Sequence, residues 1–325
     1  MLRNEFVFPS VDGNTSIHAV QWLPEDDVRA VVQISHGVSE YILRYEPFAQ
    51  YLTDRGFAVV GHDHLGHGSS VAPGAARLYF GPKGSWKWVV DDIEKRRCLA
   101  RESFPNVPYF LLGHSMGSFL ARTYLIRYPG RVDGAILMGT GQMSPALITA
   151  GKAIAARESR RVGEEHSSSL VEKLAFGTYN RIFAPNRTAF DWLSRSTENV
   201  DQYLADPLCG ETPTIGLFRE MLDGMSWIEK PENLRQMDLD TPILFISGAM
   251  DPVGGCGEGV RRAYESFQKA GVRNVTCRLY PELRHEILCE DCRETVFQDL
   301  FDWLTARLPD TSVPAPDSSP FTPCS

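Results

Sequence analysis

The run YFLLGHSMGSFLARTYLIRY at residues 109–128 constrains this chain more than any other stretch. Apolar residues of strand character lead into Gly113-His114-Ser115-Met116-Gly117, and a helical stretch follows at once. A G-x-S-x-G pentapeptide arises often by chance. Held between a strand and a helix, it describes a sharp turn that lifts a serine hydroxyl clear of a sheet. Gly113 and Gly117 then have a reason to be glycine, because a Cβ in so tight a turn would collide with neighbouring backbone. Ser115 would stand at a helix N-terminus, whose dipole favours developing negative charge. The bland alternative is a plain Gly-rich strand–helix turn, and the context weighs against it.

The surroundings fit such a turn. Short apolar runs alternate with longer amphipathic stretches, which predicts βα units and a mostly parallel, twisted sheet flanked by helices, an α/β fold. Two strands at residues 5–9 and 16–23, parted by Asp12-Gly13-Asn14, predict an antiparallel edge. Further strands are expected at 30–35, 57–61, 109–112, 132–138, 242–247 and 275–280. Helices are expected at 45–55, 86–102, 115–128, 257–270 and 291–308. From about 141 to 240 the alternation breaks into helical patterns with no convincing strand. The expected layout is a core of residues 1–141 and 241–308, a helical cap inserted at 142–240, and a flexible Pro/Ser/Thr-rich tail at 309–325.

A serine hydroxyl is a poor nucleophile until a base takes its proton. In a fold of this order the acid and then the histidine follow the serine in the chain. His285 lies after the last strand, in YPELRHEI, and is the expected base. Asp251 follows the strand PILFIS, at the carboxyl end where ligand crevices form, and is the expected partner of the base. His36, His62, His64 and His67 precede the serine. His62-x-His64-x-x-His67 invites a metal reading, but with Asp63 as the one acid in the turn, polar turn support is preferred. Asp63 also ends a strand, yet reads as a turn-stabilising Asp. His114, inside the elbow, is expected to pack or brace the turn. Two backbone amides must meet the substrate oxygen: Met116, after the nucleophile, and Val38, in the loop His36-Gly37-Val38, where Gly37 permits close approach.

Bulk properties exclude several classes. The 325 residues are 43% hydrophobic, with 41 Asp plus Glu against 33 Lys plus Arg and a net charge of −8. An acidic balance without a basic stripe argues against nucleic acid and against a polybasic membrane anchor. The N-terminus lacks the apolar stretch of a signal peptide, and no segment is long enough to span a bilayer. Seven scattered cysteines form no evident disulfide framework, so a reducing cytoplasm is the expected compartment. Cys289 and Cys292 have CxxC spacing but no second pair, and read as ordinary thiols.

The segments HGVSEYILRY (36–45), GHDHLGHGSS (61–70), GHSMGS (113–118), SGAMDPV (247–253) and His285 together resemble the monoacylglycerol lipase and lysophospholipase branch of the α/β hydrolases. The likeness covers residues 5–145 and 235–308. It implies Ser115, Asp251 and His285 as the triad, with the Val38 and Met116 amides as the oxyanion hole. It also implies that Glu40 and Arg44, matching HGxxExxxRY, brace the oxyanion loop and approach the polar end of the substrate. Ser39 and Tyr41 depart from the family's usual Gly and His. The insertion would be the family's cap. Its runs FDWLSR (190–195), VDQY (200–203) and DPLCG (206–210) are similar to bacterial lysophospholipase-like hydrolases. The expected function is hydrolysis of carboxylic esters with an apolar acyl chain through an acyl-enzyme, needing no metal or organic cofactor. The expected partner is a small ester or lipid-like molecule, with no nucleic acid and at most peripheral membrane contact through the cap; oligomeric state is not legible. The alternatives are an amide, thioester, lactone or N-terminal peptide bond cut by the same triad, and a non-catalytic binding protein of the same fold.

Overall fold

The computed structural model describes residues 1–309; the tail expectation for 310–325 falls outside the described residues. Eight strands form one sheet: β1 (Leu2–Pro9), β2 (Ser16–Leu23), β3 (Ala30–Ser35), β4 (Phe57–His62), β5 (Tyr109–His114), β6 (Gly134–Met138), β7 (Ile243–Gly248) and β8 (Val275–Tyr280). Their spatial order is β1-β2-β4-β3-β5-β6-β7-β8. The first two pairings, β1 with β2 and β2 with β4, are antiparallel, and the rest are parallel. The five strands β3 to β7 are buried along their whole length. That explains their nearly continuous apolar sequences, since a parallel strand is covered on both faces.

The helices are α1 (Glu46–Thr53), α2 (Trp86–Ser103), α3 (Met116–Arg127), α4 (Pro145–Val162), α5 (Ser169–Ala175), α6 (Thr197–Ala205), α7 (Ile215–Ile228), α8 (Pro231–Leu234), α9 (Glu258–Ala270) and α10 (Arg293–Thr305). One face of the sheet is covered by α1 and α10, where Phe48, Leu52, Phe297 and Leu300 meet Val32 and Val59. The Phe48 and Phe297 rings, 5.0 Å apart, hold the two helices together. The other face is covered by α2, α3 and α9 through Val89, Ile93, Leu120 and Phe267. Helices α4 to α8 all fall between β6 and β7, and the described residues there hold one isolated β-bridge, Ser167 to Thr214.

Two local expectations shift. The helix expected over 45–55 is α1, Glu46–Thr53, with Pro47 in its first turn, and a 3₁₀ turn not expected from the sequence, Ile42–Tyr45, precedes it. Among the cysteines, Cys209, Cys256, Cys277, Cys289 and Cys292 are free, whereas Cys98 takes part in a disulfide.

Candidate active site

Ser115 occupies the single residue between β5 and α3, with φ 53° and ψ −122°. A side chain in that region of backbone space costs about 1–3 kcal/mol and persists only where the surroundings enforce it. The enforcement is visible. A Cβ on Gly117 would lie 2.0 Å from the Ser35 carbonyl oxygen, and one on Gly113 would lie 2.3 Å from the Gly117 oxygen. Both glycines let backbone pass where no side chain fits. The Ser115 amide donates to the Met138 oxygen at 2.9 Å, tying the elbow to β6.

Asp251 and His285 come from the loops after β7 and β8. His285 Nδ1 lies 2.9 Å from Asp251 Oδ2. The carboxylate is fully buried, and the Ser247 hydroxyl (3.1 Å) and the Val253 amide (2.9 Å) donate to it. Those donors hold the carboxylate, and the carboxylate orients the ring. The imidazole sits between the His114 ring, 4.7 Å away, and the Trp192 ring, 5.2 Å away. Ser115 and His285 face one cavity of about 1170 Å³. No hydrogen bond joins their side chains among the described residues. A Cβ on Gly139, next to the residue that receives the Ser115 amide, would be 3.1 Å from His285 Cε1, so the ring lies beside the elbow.

The loop after β3 borders the same cavity through Gly37, Val38, Ser39 and Glu40. A Cβ on Gly37 would be 3.1 Å from Ser115 Cβ, so glycine is what allows the loop to reach the serine. The Gly37 amide donates to Glu40 Oε1 at 2.5 Å, which turns the chain there and leaves the next amide, Val38, without a protein acceptor among the described residues. Met116 is the first residue of α3, and its amide has no carbonyl to bond within the helix.

Beneath the loop lies a buried charged network. Arg44 forks onto both oxygens of Glu286, at 2.7 and 2.9 Å, and also reaches Glu40 Oε2 at 2.9 Å. Glu40 Oε1 receives the Tyr45 hydroxyl at 2.9 Å and lies 3.1 Å from His114 Nδ1. Burial opposes the charge on Glu40, yet the His114 bond and charge, with Arg44, hold its carboxyl well below the usual range. Burial likewise opposes protonation of His114, but Glu40 outweighs it and raises the His114 pKa. Asn199 adds a bond to Glu286 at 2.7 Å. Sequence reasoning missed Glu286, Asn199 and Tyr45. The one available signal was for Tyr45, which closes the HGxxExxxRY pattern.

Arg44 does not border the cavity at Ser115. It lines a second, polar cavity of about 690 Å³, whose wall of Glu40, His114, Tyr203 and Glu286 is shared with the first. Of the early histidines, all buried, His36 and His64 brace the turn. His36 Nε2 accepts the His64 amide at 2.9 Å, and His64 Nε2 lies 3.0 Å from Ser35 Oγ. Asp63 accepts the Ile42 and Ser69 amides at 2.9 and 2.8 Å, the work of a turn residue.

A mostly parallel sheet with a serine on a strained strand–helix turn, and acid and histidine after later strands, defines the α/β-hydrolase class. Within it, residues 26–292 match the Hydrolase_4 family, described as serine aminopeptidase, S33, and the chain belongs to that family of hydrolytic enzymes. It is 30% identical to a monoacylglycerol lipase of Mycolicibacterium smegmatis over 94% of this chain and 98% of that protein. It is 26% identical to human monoglyceride lipase over 88% of this chain and 86% of that one. Among solved structures, a thermostable carboxyl esterase from Bacillus coagulans in complex with glycerol superposes with a TM-score of 0.86, at 27% identity, covering 94% of this chain and 99% of that one.

Proposed function

We propose that the protein hydrolyses carboxylic esters with an apolar acyl chain, in the manner of a monoacylglycerol lipase or esterase, through Ser115, His285 and Asp251. The observation that carries this is the buried His285–Asp251 pair opening, beside Ser115, onto a cavity with an apolar wall. In this reading residues 142–240 form a cap over a core of 1–141 and 241–308. Apolar side chains of the cap, among them Ile154, Phe218, Leu222 and Met225, line the cavity and suit an acyl chain.

The Ser115 hydroxyl gives its proton to His285 Nε2 as its oxygen bonds to the ester carbonyl carbon. Charge then builds on the carbonyl oxygen, within reach of the Val38 and Met116 amides. Asp251 holds the imidazolium in the productive tautomer. As the tetrahedral species collapses, the carbon–oxygen bond to the alcohol breaks and His285 passes its proton to the leaving oxygen. Water, deprotonated by the same ring, releases the acid and restores the serine. Glu40 supports the loop from behind, and Arg44 supports Glu40.

The family description favours a second reading, in which the same triad cuts an amide or N-terminal peptide bond. A fluorophosphonate probe should label wild type and not Ser115→Ala; equal labelling of both would remove Ser115 from the mechanism. Esters of graded acyl length beside aminoacyl amides decide the substrate. Amides cleaved faster than every ester would overturn the ester reading. Exposed Leu147, Leu170, Leu174 and Ile182 on the insertion suit at most peripheral contact with a lipid surface. No helix among the described residues is long and apolar enough to cross a membrane.

A further inference from the structure

Ser39 and Tyr41 are the two positions at which the loop departs from the Gly and His usual in the family it resembles, and both reach out of the core. Ser39 follows Val38 directly and adopts φ 57°, a left-handed conformation that favours glycine. Its carbonyl accepts the Tyr203 hydroxyl and the Gly210 amide, each at 3.1 Å. Its hydroxyl donates to the Glu211 carbonyl at 2.7 Å. Two residues on, the Tyr41 hydroxyl donates to Asp206 Oδ2 at 2.7 Å. Every one of these partners belongs to the segment 203–211 of the helical insertion.

That segment is a wall of the cavity, since Tyr203, Gly210 and Glu211 line it together with Ser39 and Ser115. On its inner side the loop is held by Glu40, which takes the Gly37 amide at 2.5 Å. Val38 is therefore gripped on both flanks, from the core through Gly37 and Glu40 and from the insertion through Ser39 and Tyr41. A glycine at position 39 would adopt the backbone more readily but would have no hydroxyl for Glu211. The strained serine makes physical sense if the bond to the insertion is what it provides.

We infer that Ser39 and Tyr41 are positioning residues that couple the 203–211 wall of the insertion to the Val38 amide, so that the amide is correctly aimed only when this wall is seated. The inference rests on the ester-hydrolase reading for its kinetic consequence. An amide that meets charge only in the transition state should affect kcat rather than KM when it is displaced.

The test uses the full chain carrying Tyr41→Phe, Ser39→Gly, or both. Tyr41→Phe removes one hydroxyl from a half-buried site, and Ser39→Gly relieves the backbone while removing the other, so both variants should fold. With a short soluble ester, the double variant should lose about 10-fold in kcat with KM within about twofold of wild type. Hydrogen exchange should rise together in residues 36–41 and 203–211. A kcat at the wild-type value in folded protein would overturn the inference. So would faster exchange confined to 203–211, because the two segments would then move independently. Should the wild type hydrolyse no ester at all, the functional reading fails, and the exchange result alone decides whether the two segments are coupled.

Discussion

At the scale of single residues, the buried histidines set the behaviour of the fold in acid. His36, His62, His64 and His67 are all buried, and burial pushes their pKa values down, to about 3 for His62 and His67. They are neutral in the folded chain and titrate near 6.5 when unfolded. The stability they allow is complete above about pH 6.5 and is lost as pH falls toward 3, because the unfolded chain takes up protons that the folded one refuses. In that window His62 and His67 each contribute about 1.4 kcal/mol of loss per pH unit. His114, with its pKa raised by Glu40, works in the opposite sense. The urea midpoint should therefore fall clearly between pH 7.5 and 5.0, and less steeply in His62→Phe, since neither His62 nitrogen has a protein partner among the described residues. An unchanged midpoint across that range would contradict this account. On the catalytic side, Asp251→Asn should keep the fold but reduce kcat by on the order of 10⁴, read in a steady-state ester assay, because the imidazole loses its fixed tautomer. A loss of under tenfold would mean that the carboxylate does not orient His285. Ser115, Asp251 and His285 could be singled out in the sequence because each follows a strand in a known chain order. Glu286 could not, because its partner Arg44 stands 242 residues away and no periodicity links them.

At the scale of elements, the strands were legible and their ends less so. The runs 16–23, 30–35 and 275–280 match β2, β3 and β8 residue for residue, since each apolar run is bounded by turn residues. The turn into α1 was not legible, because Ile42 to Arg44, ahead of the helix expected from residue 45, carry no turn residue, while the chain winds there as a 3₁₀ turn that brings Ile42 N to Asp63. The helix after the elbow starts at Met116 rather than Ser115, since the serine's positive φ lies outside helical space. The elbow also yields a stability prediction. Gly117→Ala would press a Cβ against the Ser35 and His36 oxygens at 2.0 and 2.5 Å, all of it backbone. Neither strand nor helix can yield there without breaking sheet pairing. The substitution should cost more than about 3 kcal/mol or abolish folded protein, seen as a collapse of Tm. A variant within a degree or two of wild type would show that the elbow is looser than its geometry.

At the scale of the whole molecule, residues of the insertion and of the core line one cavity. Helices α4 and α7 bring Gly151, Ile154, Leu222 and Met225 over the space beside Ser115. Met225→Trp should fill that space. Esters of long acyl chains should then lose about 10-fold or more in kcat/KM, with acetate or butyrate esters nearly unaffected. Equal losses for short and long chains would place the acyl group elsewhere. Which helix of the insertion meets the cavity was not legible, because residues 142–240 carry amphipathic patterns that fix a buried face but not the neighbour it is buried against. The position of the insertion, between β6 and β7, also sets the order in which the members of the proposed triad are synthesised. The elbow leaves the ribosome early, while the acid and the imidazole are encoded on the far side of the helical stretch and depend on β7 and β8 docking at the sheet's last edge. In the reading proposed above, a chain synthesised only as far as the insertion would carry the serine without its acid or its base, and could not yet cut an ester.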